Sequence, residues 1–347
     1  MDGENENENA WPGMAGLWRE WVAPVAVAGV LALAVAGTVE LINSTDQKPA
    51  KDKKRPATQT LLASQKRPAP GFVVAVQRSG TGVVVRDVVS GATIDQTMPP
   101  PAGQHFQQVA AAPDGSYLIS GYGRERVSFY RLRLSGAGRA QSFTTVPRAI
   151  AGISTAWSDM AVSADGDKVG YVTYQGDKGR ISVISLRSGA HRMWDATSAG
   201  RLGSLSWAGG TLSFVWSPVR QVGGRTVEAG HQARTLDTTV PGGDLRASRA
   251  VLTLPQGGDA AVLSRDARTI VTGVRDRSGV ALAAFSTATG RQIRVLRRFA
   301  VASGLTGLTL DGVGSHLLVI AADGRLYADS TQPARRLSSA DYADIAW

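Results

Sequence analysis

From Gly71 to Trp347 the apolar residues fall in short, β-branched runs, such as GVVVRDV from Gly82 and RISVISL from Arg180, each closed off by Gly, Ser, Asp or Pro. Runs of this length with turn residues at both ends predict strands. They also recur. Val109 to Phe143 reads VAAAPDGSYLISGYGRERVSFYRLRLSGAGRAQSF, Met160 to Trp194 reads MAVSADGDKVGYVTYQGDKGRISVISLRSGAHRMW, and Ala261 to Leu296 reads AVLSRDARTIVTGVRDRSGVALAAFSTATGRQIRVL. Each copy is a short strand, a turn around Asp114, Asp165 or Asp266, a second strand, a polar loop, a third strand, another turn and a fourth strand. A period of roughly 45 to 55 residues is that of propeller blades.

The turns carry a physical reason. Pro113-Asp114-Gly115 and Ala164-Asp165-Gly166 put a carboxylate where it can accept from nearby backbone, followed by a glycine that accepts positive φ. The turn before the fourth strand repeats as Ser90-Gly91, Ser188-Gly189 and Thr289-Gly290. Weaker copies run from Gly203 to Leu254, interrupted by an insertion from Ser217 to Ala233, and from Gly304 to Leu337. The opening segment, Phe72 to Met98, has three strands and lacks the innermost one, while Asp344-Ile345-Ala346-Trp347 resembles the inner strand Ser204-Leu205-Ser206-Trp207. The expected fold is therefore all-β: a single propeller, residues 71–347, of about six four-stranded blades, with the C-terminal strand completing the first blade. Such closure removes the free edges of an open array.

Upstream the pattern changes. Residues 1–21, with Asp2, Glu4, Glu6 and Glu8 among Asn and Gly, are too polar to form a core and read as a disordered acidic tail. Residues 22–42 hold the uncharged stretch VAPVAVAGVLALAVAGTV followed by Glu40, Leu41 and Ile42. At about 1.5 Å per residue it spans a hydrocarbon core of roughly 30 Å, and one transmembrane helix is expected there. Trp11, Trp18 and Trp21 lie at its near end, where interfacial indoles belong. A cleaved signal peptide is the rival, since Ala34-Val35-Ala36 has the form of a cleavage site, but the preceding tail is acidic. Residues 43–70, with Lys48, Lys51, Lys53, Lys54, Arg55, Lys66 and Arg67 among Pro, Ser, Thr and Gln, read as a basic flexible linker.

The blades resemble the TolB-type, WD40-like propeller repeats, whose core is S-P-D-G followed by an apolar strand. Pro113-Asp114-Gly115 and Ala164-Asp165-Gly166 match it, and Arg265-Asp266-Ala267 departs at the glycine. With the anchor, the chain also resembles single-pass membrane propeller proteins of actinobacteria. These motifs are structural, so the resemblance implies a fold far more than an activity. It implies a propeller outside the membrane, on a tether. The Lys and Arg of the linker argue the reverse, a cytoplasmic propeller, by the positive-inside rule.

Composition narrows the chemistry. With no cysteine there is no disulfide, thiolate nucleophile or Cys-based metal site. The net charge of +10 is carried in the propeller by arginines scattered along it rather than gathered in one run, a solvated surface in the first instance. They lack interleaved aromatics, so nucleic acid is not an expected partner. There is no nucleophile elbow, phosphate loop or dinucleotide fingerprint. His105, His191, His231 and His316 lie far apart without metal-ligand spacing and are expected on strands or surface. Asp114 and Asp165 are expected as turn caps, and Trp157, Trp207, Trp216 and Trp347 as inter-blade packing. No catalytic residue, cofactor or metal site is expected, and no binding residue is named; the insertion is where binding residues would concentrate on a rigid scaffold. The expected function is a membrane-anchored module that binds a protein or envelope ligand, in a sensory or signalling setting. The alternative is a channel-centred enzyme of the lactonase or dehydrogenase propeller type, which needs acidic side chains converging on the axis.

Overall fold

The computed structural model describes residues 69–301, 304–328 and 337–347; the expected tail, membrane span and nearly all of the linker lie outside them. Among the described residues no helix is long and apolar enough to cross a membrane.

The strands form six sheets, one per blade. In blade 1, Phe72–Gln77 pairs outward with Val83–Asp87 and inward with Tyr342–Ala346, so the C-terminal strand does complete the first blade, with Val74 opposite Ala346 and Val76 opposite Asp344. Blade 2 runs His105–Ala111, Tyr117–Gly123, Arg126–Leu134 and Ala140–Ala151. Blade 3 runs Met160–Val162, Lys168–Gln175, Lys178–Ser185 and His191–Asp195, and blade 5 runs Ala261–Leu263, Thr269–Asp276, Gly279–Ser286 and Gln292–Phe299. Blade 4 is built from Gly200–Ala208, Thr211–Val222, Gln232–Asp237 and Arg249–Thr253.

The expectation of four strands in every blade needs correction. Blade 1 has three, with single bridges Val83↔Met98 and Arg86↔Thr93 where a fourth would run, and blade 6 has three among the described residues, Leu305–Leu310, Leu317–Ala321 and Leu326–Ala328. Blade 3 gains a fifth, because Gly243–Asp244 from blade 4 pairs in parallel with its outer strand.

Inner strands touch in succession around the ring, the C-terminal strand against blades 2 and 6. Packing follows the period-two alternation of a strand. Val74, Val76, Val83 and Val85 pack with Phe106 and Tyr130 of blade 2, while Val73, Ala75 and Val84 pack with Leu318 and Leu326 of blade 6. Each blade is thus buried on both faces, which is why its strands read as continuous apolar runs. Six apolar clusters result, one at each interface between neighbouring blades.

The insertion in blade 4 is a strand extension, not a loop. Thr211–Val222 runs on past the blade and turns back through Arg225–Glu228, with Val222 opposite Arg225 and Val219 opposite Glu228. Gly223 and Gly224 form its tip at φ 57° and 76°, the left-handed pair that a two-residue hairpin turn requires.

Candidate functional site: the mouth of the central channel

The inner strands enclose a cavity of about 270 Å³ at the axis, lined by Gln108, Asp159, Arg201, Ser206 and Asp344 among others. Inner strands are sheet edges, so their N–H groups need acceptors from elsewhere. Side chains of the preceding blade supply several. Val109 donates its N–H to Asp344 Oδ2 at 2.7 Å, Leu205 donates to Asp159 Oδ2 at 2.9 Å, and Leu263 donates to Ser206 Oγ at 2.9 Å. These contacts staple blade 1 to blade 2, blade 3 to blade 4 and blade 4 to blade 5. The second carboxylate oxygens accept the N–H groups of Ile345, at 2.8 Å, and Met160, at 2.7 Å. The blade 4 strand reaches its acceptor through a bulge between Gly203 and Ser206, where Ser204 takes a left-handed φ of 51°.

Burial pushes the Asp344 carboxyl up to about 7, and the neighbouring charge of Asp159 pushes the same way, against the two backbone donors that favour the ionised form. Asp159 is likewise raised by burial, its backbone donors and Arg201 opposing. Two carboxyl groups at the axis therefore hold protons more readily than exposed ones do.

The mouth beside blade 4 has a different chemistry. Ser217 Oγ lies 2.7 Å from His231 Nδ1, while Glu228 Oε2 stands 3.6 Å from Nδ1 and Asp259 Oδ1 3.7 Å from Nε2. Arg201 faces Glu228 at 3.6 Å. The hydroxyl and imidazole make one hydrogen bond, but the Asp259 carboxylate is too far to orient the ring as a nucleophilic triad demands. Trp157, 38 % exposed, adds an aromatic face to the rim, held edge-on by Tyr174 at 6.0 Å between ring centres. The hairpin rises from this rim. Cross-strand pairing puts Arg220, Val222, Arg225 and Val227 on one of its faces, all exposed. Gln221 and Thr226, bonded side chain to side chain at 2.8 Å, occupy the other.

No family model matches the chain, and no curated protein does. Among solved structures it is similar to TolB from Acinetobacter baumannii, with a TM-score of 0.49 and 14% identity over 80% of this chain and 66% of that one. The chain thus spans about two thirds of TolB's length. It is also similar to a protein of unknown function from Bacteroides caccae, with a TM-score of 0.47 and 11% identity over 80% of this chain and 98% of that one. A chain of a nidogen/laminin complex gives a TM-score of 0.47 and 13% identity over 79% of this chain and 97% of that one. WD40 propellers such as that of Neurospora crassa Pan2 also match, with a TM-score of 0.43 and 11% identity over 73% and 71%.

Several sequence-level expectations sit where the pattern placed them. Asp114 accepts from Ser116 N at 3.0 Å and pairs with Arg131 at 3.0 Å and Arg133 at 3.1 Å; Asp165 accepts from Asp167 N at 3.1 Å. Both are turn caps remote from the cavity lining. Trp207 and Trp347 are buried between blades, the first donating its Nε1–H to Ala161 O at 3.2 Å. Trp216 packs in part against the same cluster as Trp207. Trp157 departs from the packing role, because it stands in the segment before an inner strand and faces the mouth. His105 and His191 are exposed strand residues, and His316 is buried with its ring edge-on to Trp347 at 5.8 Å. His231 is the departure among the histidines, since the hairpin folds it back onto Ser217.

Asp159 and Asp344 were not legible as site residues. The available signal was their place just before an inner strand's apolar core, in DMAV and DIAW, but an aspartate there is indistinguishable in sequence from a turn residue. Among the described residues no group of three or more His, Asp or Glu side chains is placed to hold a metal ion.

Proposed function

We propose that the chain is a membrane-anchored propeller that binds rather than catalyses, capturing an acidic protein or envelope ligand at the channel mouth beside the blade 4 hairpin. The observation that carries this reading is the hairpin face: two exposed valines, 50 % and 41 % open, between Arg220 and Arg225, mounted over a cavity rim that offers Trp157, Arg201 and His231. Apolar contact flanked by arginine is the composition of a recognition surface. The apolar stretch at 22–42 supports the anchor, and the resemblance to tethered propellers supports an outward-facing one. The channel-centred enzyme keeps one observation in its favour, the raised carboxyl pair Asp159 and Asp344; each of these is already engaged by two backbone donors as a staple.

The absence of cysteine gives a direct test. Val222→Cys installs a single thiol on the hairpin, and Val89→Cys, at an 84 % exposed position of blade 1, is the control. A membrane-impermeant maleimide carrying a photo-crosslinker should label both in intact cells, and illumination should trap a discrete partner from position 222 alone. Labelling only after lysis overturns the outward orientation. Equal crosslinking from position 89 overturns the site.

A further inference from the structure

We propose that the outer edge of blade 5 is a docking strip for an acidic peptide segment, which adds to the blade as an extra extended strand. The edge is strongly basic: from Arg291 to Phe299 there are four arginines and no acidic residue, of which Arg298 is paired with Asp276 of the same blade. Gln292–Phe299 is the last strand of its sheet, and no other strand pairs with its outer side among the described residues. Its pairing with Gly279–Ser286 is broken by two bulges, which leave Ile293 and Leu296 without opposite partners. Ile293 is turned out to 55 % exposure and Val295 to 37 %, with Arg291 and Arg294 exposed beside them.

A strand edge with no strand partner among the described residues, flanked by open apolar positions, is what strand addition uses: the ladder gives affinity and the side chains give selectivity. The molecule already does this to itself. Blade 3 takes Gly243–Asp244 as a fifth strand on its outer edge, with Asp244 opposite Asp195. Charge decides which strand blade 5 could accept. A second copy of the same strand would bring further arginines to an edge that already carries four from Arg291 to Arg298, whereas a glutamate- or aspartate-bearing strand brings complementary charge. The site is separate from the channel mouth and stands or falls independently of the reading given for it.

The probe is a fluorescein-labelled ten-residue peptide alternating glutamate with valine, titrated by anisotropy against the full-length chain in detergent. It should bind, and the same peptide N-methylated at every residue, which has no main-chain N–H to donate from either edge, should bind at least tenfold more weakly. Reversing charge at Arg291→Glu and Arg294→Glu together should also weaken binding at least tenfold, with thermal unfolding unchanged. Arg220→Glu on the hairpin should leave binding as it was. Equal binding of the N-methylated peptide makes the strip a general polyanion surface and overturns strand addition. No loss in the double variant, or equal binding of a lysine-valine peptide, overturns the site.

Discussion

Gly115 and Ala267 occupy the same place in the same turn, one residue after the capping aspartates Asp114 and Asp266, and both take a left-handed φ, 78° and 60°. Only glycine adopts that conformation without penalty, an L side chain costing roughly 1–2 kcal/mol. A Cβ added at Gly115 would meet nothing within 4 Å, so its substitution isolates the backbone term from packing. Gly115→Ala is expected to lower stability by about 1 kcal/mol, read as the urea midpoint at unchanged slope. Ala267→Gly should do the reverse, by less, because glycine's greater freedom in the unfolded chain offsets part of the relief. If Gly115→Ala is neutral, the repeated turn does not enforce its backbone. The departure from the repeat at Ala267 is therefore a tolerated strain, held by Ser264 Oγ donating to Asp266 at 2.5 Å and Arg268 N donating at 3.0 Å.

The staples act on whole strands, and their ionisation gives the ring a pH dependence of known sign. Asp344 holds its proton up to about 7 in the folded ring, whereas the ordinary value of 3.8 applies in the unfolded chain. Between those values the native state binds more protons, so this contribution is full below about pH 4 and is lost as pH rises through 7. Asp159 shifts in the same direction and adds to the slope. Asp344→Asn cannot ionise and keeps one acceptor oxygen, so its absolute stability falls but its denaturation midpoint should drop less than the parent's between pH 5 and pH 8. Parallel slopes would mean that Asp344 does not titrate in the ring. Strand pairing, turn positions and ring closure were legible because each repeats with period two or with the blade. The staples and the channel mouth were not, for a physical reason: both depend on which neighbouring blade a side chain reaches. Val109 and Asp344 are brought together only by closure, and His231 meets Ser217 only because Ser217 to Ala233 is a hairpin rather than a loop.

At the scale of the molecule everything converges on the closing strand. Tyr342–Ala346 gives blade 1 its inner strand, carries the staple to blade 2 at Asp344, and buries Tyr342, Ile345 and the adjoining Trp347 against blade 6. Trp347 is 1 % exposed and also donates its Nε1–H to Pro70 O at 2.9 Å, fastening the first described residues to the last. Burying each such side chain contributes about 1.5–3 kcal/mol. Three of them amount to roughly 5–9 kcal/mol, which is comparable to the whole stability of a typical domain, about 5–15 kcal/mol. Deleting Tyr342 to Trp347 is therefore expected to abolish cooperative unfolding and expose the edge of Phe72–Gln77, leaving a chain that is cut rapidly by protease and prone to associate. Trp347→Ala, which keeps the ladder and removes the packing together with the hydrogen bond to Pro70 O, should cost about 3–5 kcal/mol and leave a cooperative transition at a lower midpoint. The two variants separate strand closure from side-chain burial. If the truncated chain melted as cooperatively as Trp347→Ala, the ring would be held by its blade interfaces alone and the C-terminal strand would be an accessory to it.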